Sequence, residues 1–128
     1  MEVNMDILAE RISDSELEVM KLLWKAGEPV TSTVIREQLQ SSMGWEATTI
    51  KTLISRLVHK EVISQEKRKV FYYRPLISES EYNTWATSRL INKLYKGSAA
   101  ALVAALVDSQ GLSDGDIDEL RALFKVED

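Results

Sequence analysis

The chain of 128 residues contains no cysteine and a single histidine, His59. Disulfides, thiolate metal sites and thiol nucleophiles are thereby excluded. A tight zinc or copper site would have to be assembled mostly from carboxylates, which suit those metals poorly. Neither a structural metal nor a cofactor is expected. Apolar runs near the ~20 residues of a membrane-spanning helix are absent, and so is a basic-then-apolar signal pattern at the N-terminus. These absences predict a cytoplasmic protein with no membrane partner. Catalytic signatures are missing too: there is no Ser/His/Asp spacing, no glycine-rich phosphate loop and no pair of acids in an apolar setting. The acidic run Asp114, Asp116, Asp118, Glu119 lacks the spacing of a calcium loop and reads as first-turn charge favoured by a helix dipole. An enzyme is not expected.

What is present is a compact, charged composition with 45% hydrophobic and 28% charged residues, enough for a real core. The charge is unevenly placed. The whole chain carries −4, yet Ala47 to Pro75 holds seven cations (Lys51, Arg56, Lys60, Lys67, Arg68, Lys69, Arg74) against two anions (Glu61, Glu66). Residues 1–75 balance eleven basic against eleven acidic side chains, whereas 76–128 hold five against nine. A local basic surface inside an acidic protein is the electrostatic footprint of an anion-binding face.

Three segments open with a serine followed three residues later by an acid and flanked by apolar residues: Ser13 with Glu16, Ser78 with Glu81, and Ser113 with Asp116. Each predicts a capped helix start. The first helix is expected over about 14–25, its stripe formed by Leu17, Met20, Leu23 and Trp24. A second follows Thr31 with Val34, Ile35 and Leu39 inward. From Ala47 to about Lys60, Ile50, Leu53, Ile54, Leu57 and Val58 fall at the spacing of one buried helical face. The opposite face carries Thr48, Thr52, Ser55, Arg56 and His59, flanked by Thr49 and Lys51.

Val62 to Gln65 and Val70 to Tyr73 are β-branched and aromatic runs separated by Glu66-Lys67-Arg68-Lys69, which predicts a hairpin with a basic tip ending at Arg74-Pro75. Beyond Leu76 the pattern is helical throughout, over about 79–96, 98–107 and 114–126.

A polar helix face taken alone is ordinarily just solvated, and a charged loop often only protects a sheet edge from pairing. Here two short capped helices precede the polar helix and the basic hairpin follows it directly. The outward side chains are short hydroxyls, which let a helix approach base edges and thymine methyls, while Lys51 and Arg56 can reach phosphates or guanine. Lys67, Arg68 and Lys69 would lie along the backbone or in the minor groove. Phe71, Tyr72 and Tyr73 read as packing and cross-strand pairs. The expected fold is therefore mostly α with a small β-hairpin, an N-terminal winged helix-turn-helix over 1–76 and a C-terminal three-helix region over 77–128. Trp85, Leu94, Leu102, Val103, Leu106, Leu120 and Phe124 are among more apolar groups than some fifty residues can bury alone; they either pack back onto the first module or, the reading favoured here because a winged helix already closes its own core and a twofold site calls for two copies, form a homodimer. The rival reading is a winged helix that docks an acidic protein partner through the same basic face.

The strings Ile12 to Trp24 and Trp45 to Leu57, continued through Val70 to Leu76, Leu94 to Ser98 and Leu112 to Leu120, resemble the penicillinase-repressor family, which includes methicillin-resistance and copper-operon repressors. The resemblance implies a homodimeric transcriptional repressor on double-stranded operator DNA with TACA/TGTA-type inverted repeats, with Thr48, Thr49, Lys51, Thr52 and Arg56 at recognition-helix positions. Four departures stand out. Glu46-Ala47 replaces a Ser-Pro helix start, and Glu61 replaces a helix-ending glycine. The bond aligned with the Asn-Phe cleavage site of antibiotic-responsive members, where a sensor-linked protease acts, is Ala105-Leu106. The cysteine hook of copper-responsive members is absent.

Overall fold

The computed structural model describes residues 4–124. The chain runs α1 (Met5–Glu10), α2 (Asp14–Ala26), β1 (Val30–Thr31), α3 (Ser32–Met43), α4 (Ala47–His59), β2 (Ile63–Lys67), β3 (Phe71–Pro75), α5 (Glu79–Tyr95), α6 (Ala99–Asp108) and α7 (Asp114–Leu123). It divides into two compact units between Ala86 and Thr87.

All three expected capping boxes are formed, two in the first unit and one in the second. Ser13 Oγ accepts from the Glu16 amide at 3.2 Å while Glu16 Oε1 accepts from the Ser13 amide at 2.9 Å. Ser78 and Glu81 repeat this reciprocal pair at 3.0 Å both ways. In the second unit Asp116, shorter than the usual Glu, still closes the box with Ser113 at 3.0 Å both ways. The last two residues of the expected 114–126 span lie outside the described residues.

Val19, Met20 and Leu23 of α2, Ile35 and Leu39 of α3, and Ile50, Leu53, Ile54 and Leu57 of α4 form one core with Val30, Val62, Ile63, Tyr73 and Ile77. The expected stripes account for most of it; Val34 is the exception and is exposed. Leu8 and Ala9 of α1, a helix the sequence pattern did not predict, complete this core together with Ile12. The sheet has three strands in the order β1-β3-β2, all antiparallel, with Val30 opposite Tyr73 and Gln65 opposite Tyr73 on the other side. The hairpin is thus joined by a third strand that the sequence reading did not include. Strand boundaries also move: Glu66 and Lys67 extend β2, Arg68 to Val70 form the tip, and Pro75 is the last residue of β3. Pro75 is tolerated because it sits at the strand's end, opposite Ile63.

The first unit extends ten residues past the 76/77 division expected from the sequence. Trp24 Nε1 donates to the Ile77 carbonyl at 2.8 Å, and the rings of Trp24, Tyr82 and Trp85 follow one another at centroid distances of 5.6 and 5.8 Å. This aromatic series packs the first turns of α5 against α2. Trp85, grouped with dimerisation residues on sequence grounds, is half-buried against the first unit's own core.

In the second unit no described residue of α6 or α7 is buried. Leu94, Val103, Leu106, Val107, Leu123 and Phe124 are exposed, and Leu102 and Leu120 are half-buried. No single helix among the described residues is long and apolar enough to cross a membrane.

Candidate nucleic-acid interface

Helix α3 ends where Gly44 takes a left-handed conformation (φ 68°), which turns the chain sharply enough for α4 to begin three residues later. α3, the Gly44-Trp45-Glu46 turn and α4 make a helix-turn-helix. The start of α4 is as expected: Glu46 occupies the N-cap position and forms no side-chain cap hydrogen bond. Its end shows how the missing glycine is accommodated. Glu61 adopts φ 61°, its amide donates to the Val58 carbonyl at 3.0 Å, and the Val62 amide donates to Leu57 at 3.0 Å. That is a complete Schellman arrangement, with a glutamate where glycine is favoured and buried Val62 packed at its end.

The core pins α4 along Ile50, Leu53, Ile54 and Leu57. Thr48, Thr49, Lys51, Thr52, Ser55, Arg56 and His59 are consequently all exposed on the outer side. Beside it lies a cleft of about 440 Å³, bounded by Lys51 and Ser55 of α4, Ser32 and Arg36 of α3, and Gln65 and Phe71 of the hairpin. The recognition-helix candidates therefore divide. Thr48, Lys51 and Ser55 line the cleft, and Thr49, Thr52 and Arg56 do not.

The wing cations also separate. Lys67 lies opposite Phe71, on the same strand face as Gln65 and Tyr73, and its Nζ stands 5.7 Å from the Phe71 ring centroid. Arg68 stacks over Tyr72 at 4.6 Å and meets Glu66 at 3.4 Å, on the other face. Lys69 is at the exposed tip. The seven cations counted from the sequence do not form one surface, because Lys60 belongs elsewhere. Its Nζ reaches into the protein to both oxygens of Glu16, at 2.7 and 2.9 Å, and to the Arg11 carbonyl at 3.0 Å. The expectation that Lys60 shares the anion-facing surface is thus corrected: a carboxylate that is 1% exposed requires a counter-charge, and Lys60 supplies it.

Arg36 was not singled out from the sequence, since it lies before the basic stretch. The signal was its position beside buried Ile35, which puts it on the outer side of α3. Among the described residues no cluster of three or more His, Cys, Asp or Glu could hold a metal ion. In α6, Ala105 and Leu106 lie within a continuous helix, with the Ala105 carbonyl accepting from Ser109 and the Leu106 carbonyl from Gly111.

An exposed polar helix, set by a helix-turn-helix beside a basic hairpin, is the geometry of winged-helix DNA readers. The sequence profile described as penicillinase repressor matches residues 12–125. The chain belongs to the penicillinase repressor family. It is 37% identical over 121 residues to the methicillin resistance regulatory protein MecI of Staphylococcus aureus, covering 94% of this chain and 98% of that protein. Identity is also 37% to the penicillinase repressor of Bacillus licheniformis, with 90% of each chain covered. The fold resembles the solution structure of the DNA-binding domain of the repressor BlaI, with 38% identity, a TM-score of 0.52, and 56% of this chain and 88% of that one covered. A second likeness, at 39% identity and TM-score 0.50, is to monomeric Bacillus licheniformis BlaI in complex with the blaP half-operator, covering 56% and 87%. Family members are transcriptional repressors rather than enzymes.

Proposed function

We propose that this protein is a homodimeric transcriptional repressor in the cytoplasm that binds a palindromic operator of the TACA/TGTA type. The observation that carries the reading is the outer face of α4: short hydroxylic side chains flanked by Lys51 and Arg56, held by the core beside a wing that presents Lys67 and Lys69. Such a face fits the major groove, with Arg36 and Lys51 at the cleft suited to backbone phosphates. Two copies place their α4 helices one helical turn apart, ~34–36 Å. The apolar side chains Leu94, Leu102, Val103, Leu106, Leu120 and Phe124 supply the surface through which the copies associate. If release proceeds through a sensor-linked protease, the Ala105–Leu106 bond becomes accessible only after α6 unwinds locally.

The test is a gel shift with the full chain. Retardation of a palindromic duplex, competed by the same duplex and not by a scrambled one, is expected. Absence of any binding to DNA at low salt, together with capture of an acidic protein partner, would instead favour the docking reading.

A further inference from the structure

Thr48, Thr49 and Thr52 place three hydroxyls on the outer side of α4, but they are not equivalent. The Thr52 hydroxyl donates to the Thr48 carbonyl at 2.9 Å, one turn back along its own helix. No such intrahelical bond engages the hydroxyl of Thr48 or Thr49 among the described residues. A threonine Cβ carries one oxygen and one methyl on staggered positions. With the oxygen engaged by the preceding turn, the methyl is the unengaged end of an exposed side chain. Thr52 is exposed, sits at the middle of the outer face, and lies off the cleft that Lys51 and Ser55 share with the wing. At the surface it therefore presents a hydrocarbon group, in a setting where its neighbours present hydroxyls and charge.

We propose that Thr52 determines specificity through its methyl group, recognising the C5-methyl of a thymine in the major groove by apolar contact rather than reading a base edge by hydrogen bonding. The inference rests on the operator-binding role proposed above. Among the four bases only thymine offers a methyl in the major groove. A hydroxyl whose proton is already donated to the helix backbone has no proton left for a base acceptor. The hydroxyl's part is to fix the rotamer, so that the methyl is held in one orientation before DNA arrives.

Valine is the informative replacement. It is close to threonine in shape and puts a second methyl in place of the hydroxyl. Serine keeps the hydroxyl and removes the methyl. The experiment measures binding of full-length wild type, Thr52→Val and Thr52→Ser to a palindromic TACA/TGTA duplex, with each thymine replaced in turn by deoxyuridine, which lacks only the C5-methyl. Circular dichroism first establishes that the three proteins are equally helical.

Wild type should lose affinity about fourfold per half-site at one thymine position, the factor one buried methyl group is worth. Thr52→Val should show the same loss at the same position. Thr52→Ser should bind the thymine duplex about fourfold more weakly per half-site and be indifferent to that replacement. If Thr52→Val loses affinity while Thr52→Ser keeps both affinity and the deoxyuridine effect, the hydroxyl reads the base and the proposal is overturned. It is equally overturned if every deoxyuridine effect persists unchanged in all three proteins. Failure of the wild type to bind any duplex would remove the operator-binding reading itself, an outcome separate from either of these.

Discussion

Lys60 Nζ lies 2.7 Å from Oε1 and 2.9 Å from Oε2 of Glu16, joining the C-terminal end of α4 to the N-terminal turn of α2 across 44 residues of sequence. Glu16 is also the acid of the capping box, so one carboxylate serves the α2 cap and the α4 anchor together. The clasp is doubled by the Arg11 guanidinium, which donates to the Lys60 carbonyl at 2.6 Å. Removing the cation leaves a buried, uncompensated charge. Lys60→Ala should therefore destabilise the fold by about 3 kcal/mol, the lower end of the ~3–5 kcal/mol for a buried pair, since Lys60 itself keeps partial exposure. Urea unfolding followed by circular dichroism measures it, and a change below about 1 kcal/mol would show that the pair is not an anchor.

The same carboxylate sets a pH dependence. Burial pushes the Glu16 pKa up, but the Lys60 hydrogen bond, the Ser13 amide and the Lys60 charge together outweigh burial and hold it below its ordinary 4.5. A carboxyl whose pKa is lower folded than unfolded contributes stability that is fully present above about pH 4.5 and is lost as pH falls through the folded value. The urea midpoint should thus decline on acidification below that point. In Glu16→Gln the stability at neutral pH should be lower and the acid-side slope shallower; an identical slope in both proteins would place the acid sensitivity elsewhere.

Glu61 sits in the left-handed region at φ 61°, at the position of a Schellman turn where glycine carries no side-chain penalty. The left-handed conformation costs roughly 1–2 kcal/mol for an ordinary residue, and glycine's greater freedom in the unfolded chain returns part of that. Glu61→Gly is expected to raise stability by about 0.5–1 kcal/mol. Thermal unfolding at fixed pH is the check, with Glu61→Ala as the control that should bring no such gain.

Six of the seven helices among the described residues were legible because their signals are local, whereas the six-residue α1 (Met5–Glu10) was not read from the sequence. Capping boxes, the 3.6-residue stripe of α4 and the glycine after α3 each lie within a few residues of what they determine. The misplacements have a different origin. β1 is two residues long and exists only through its pairing with Tyr72 and Tyr73, a partner more than forty residues away. Lys60 reads as one more cation of a basic stretch, and only the fold brings it to Glu16. The hairpin tip was displaced because Val70 has a strand-forming side chain but occupies the turn, where it is 52% exposed. Trp85 carries a face that sequence alone could not assign to one unit or another, and its packing follows from Trp24 and Tyr82.

The wing cations should differ in their contribution to DNA affinity. Among the described residues no carboxylate lies within ion-pair distance of Lys67 or Lys69, whereas Arg68 meets Glu66 and stacks on Tyr72. Lys67→Ala and Lys69→Ala should each reduce the slope of log affinity against log salt by about 0.9 per protomer, if each meets one phosphate. Arg68→Ala should reduce it less, because Glu66 already partly neutralises that charge. Fluorescence anisotropy across a salt series distinguishes the three. Equal reductions would mean that Arg68 leaves Glu66 on binding DNA.

Self-association can be separated from DNA reading by substitution in the second unit. Val103 and Leu106 are exposed on α6, and Leu94 is 58% exposed on α5, while the side chains proposed above to face DNA all belong to the first unit. A charge introduced at an apolar contact between two copies is desolvated without a partner and costs several kcal/mol. Val103→Glu and Leu106→Glu should therefore raise the dissociation constant of the dimer by two orders of magnitude or more, on the order of 3 kcal/mol. Sedimentation equilibrium reads this directly. Because the first unit keeps its own core, a single half-site should be bound by the variants as by wild type, and only the affinity gained from occupying both halves of a palindrome should disappear. Loss of half-site binding as well would show that the second unit supports the fold of the first, and unchanged sedimentation would place the contact between copies on another surface.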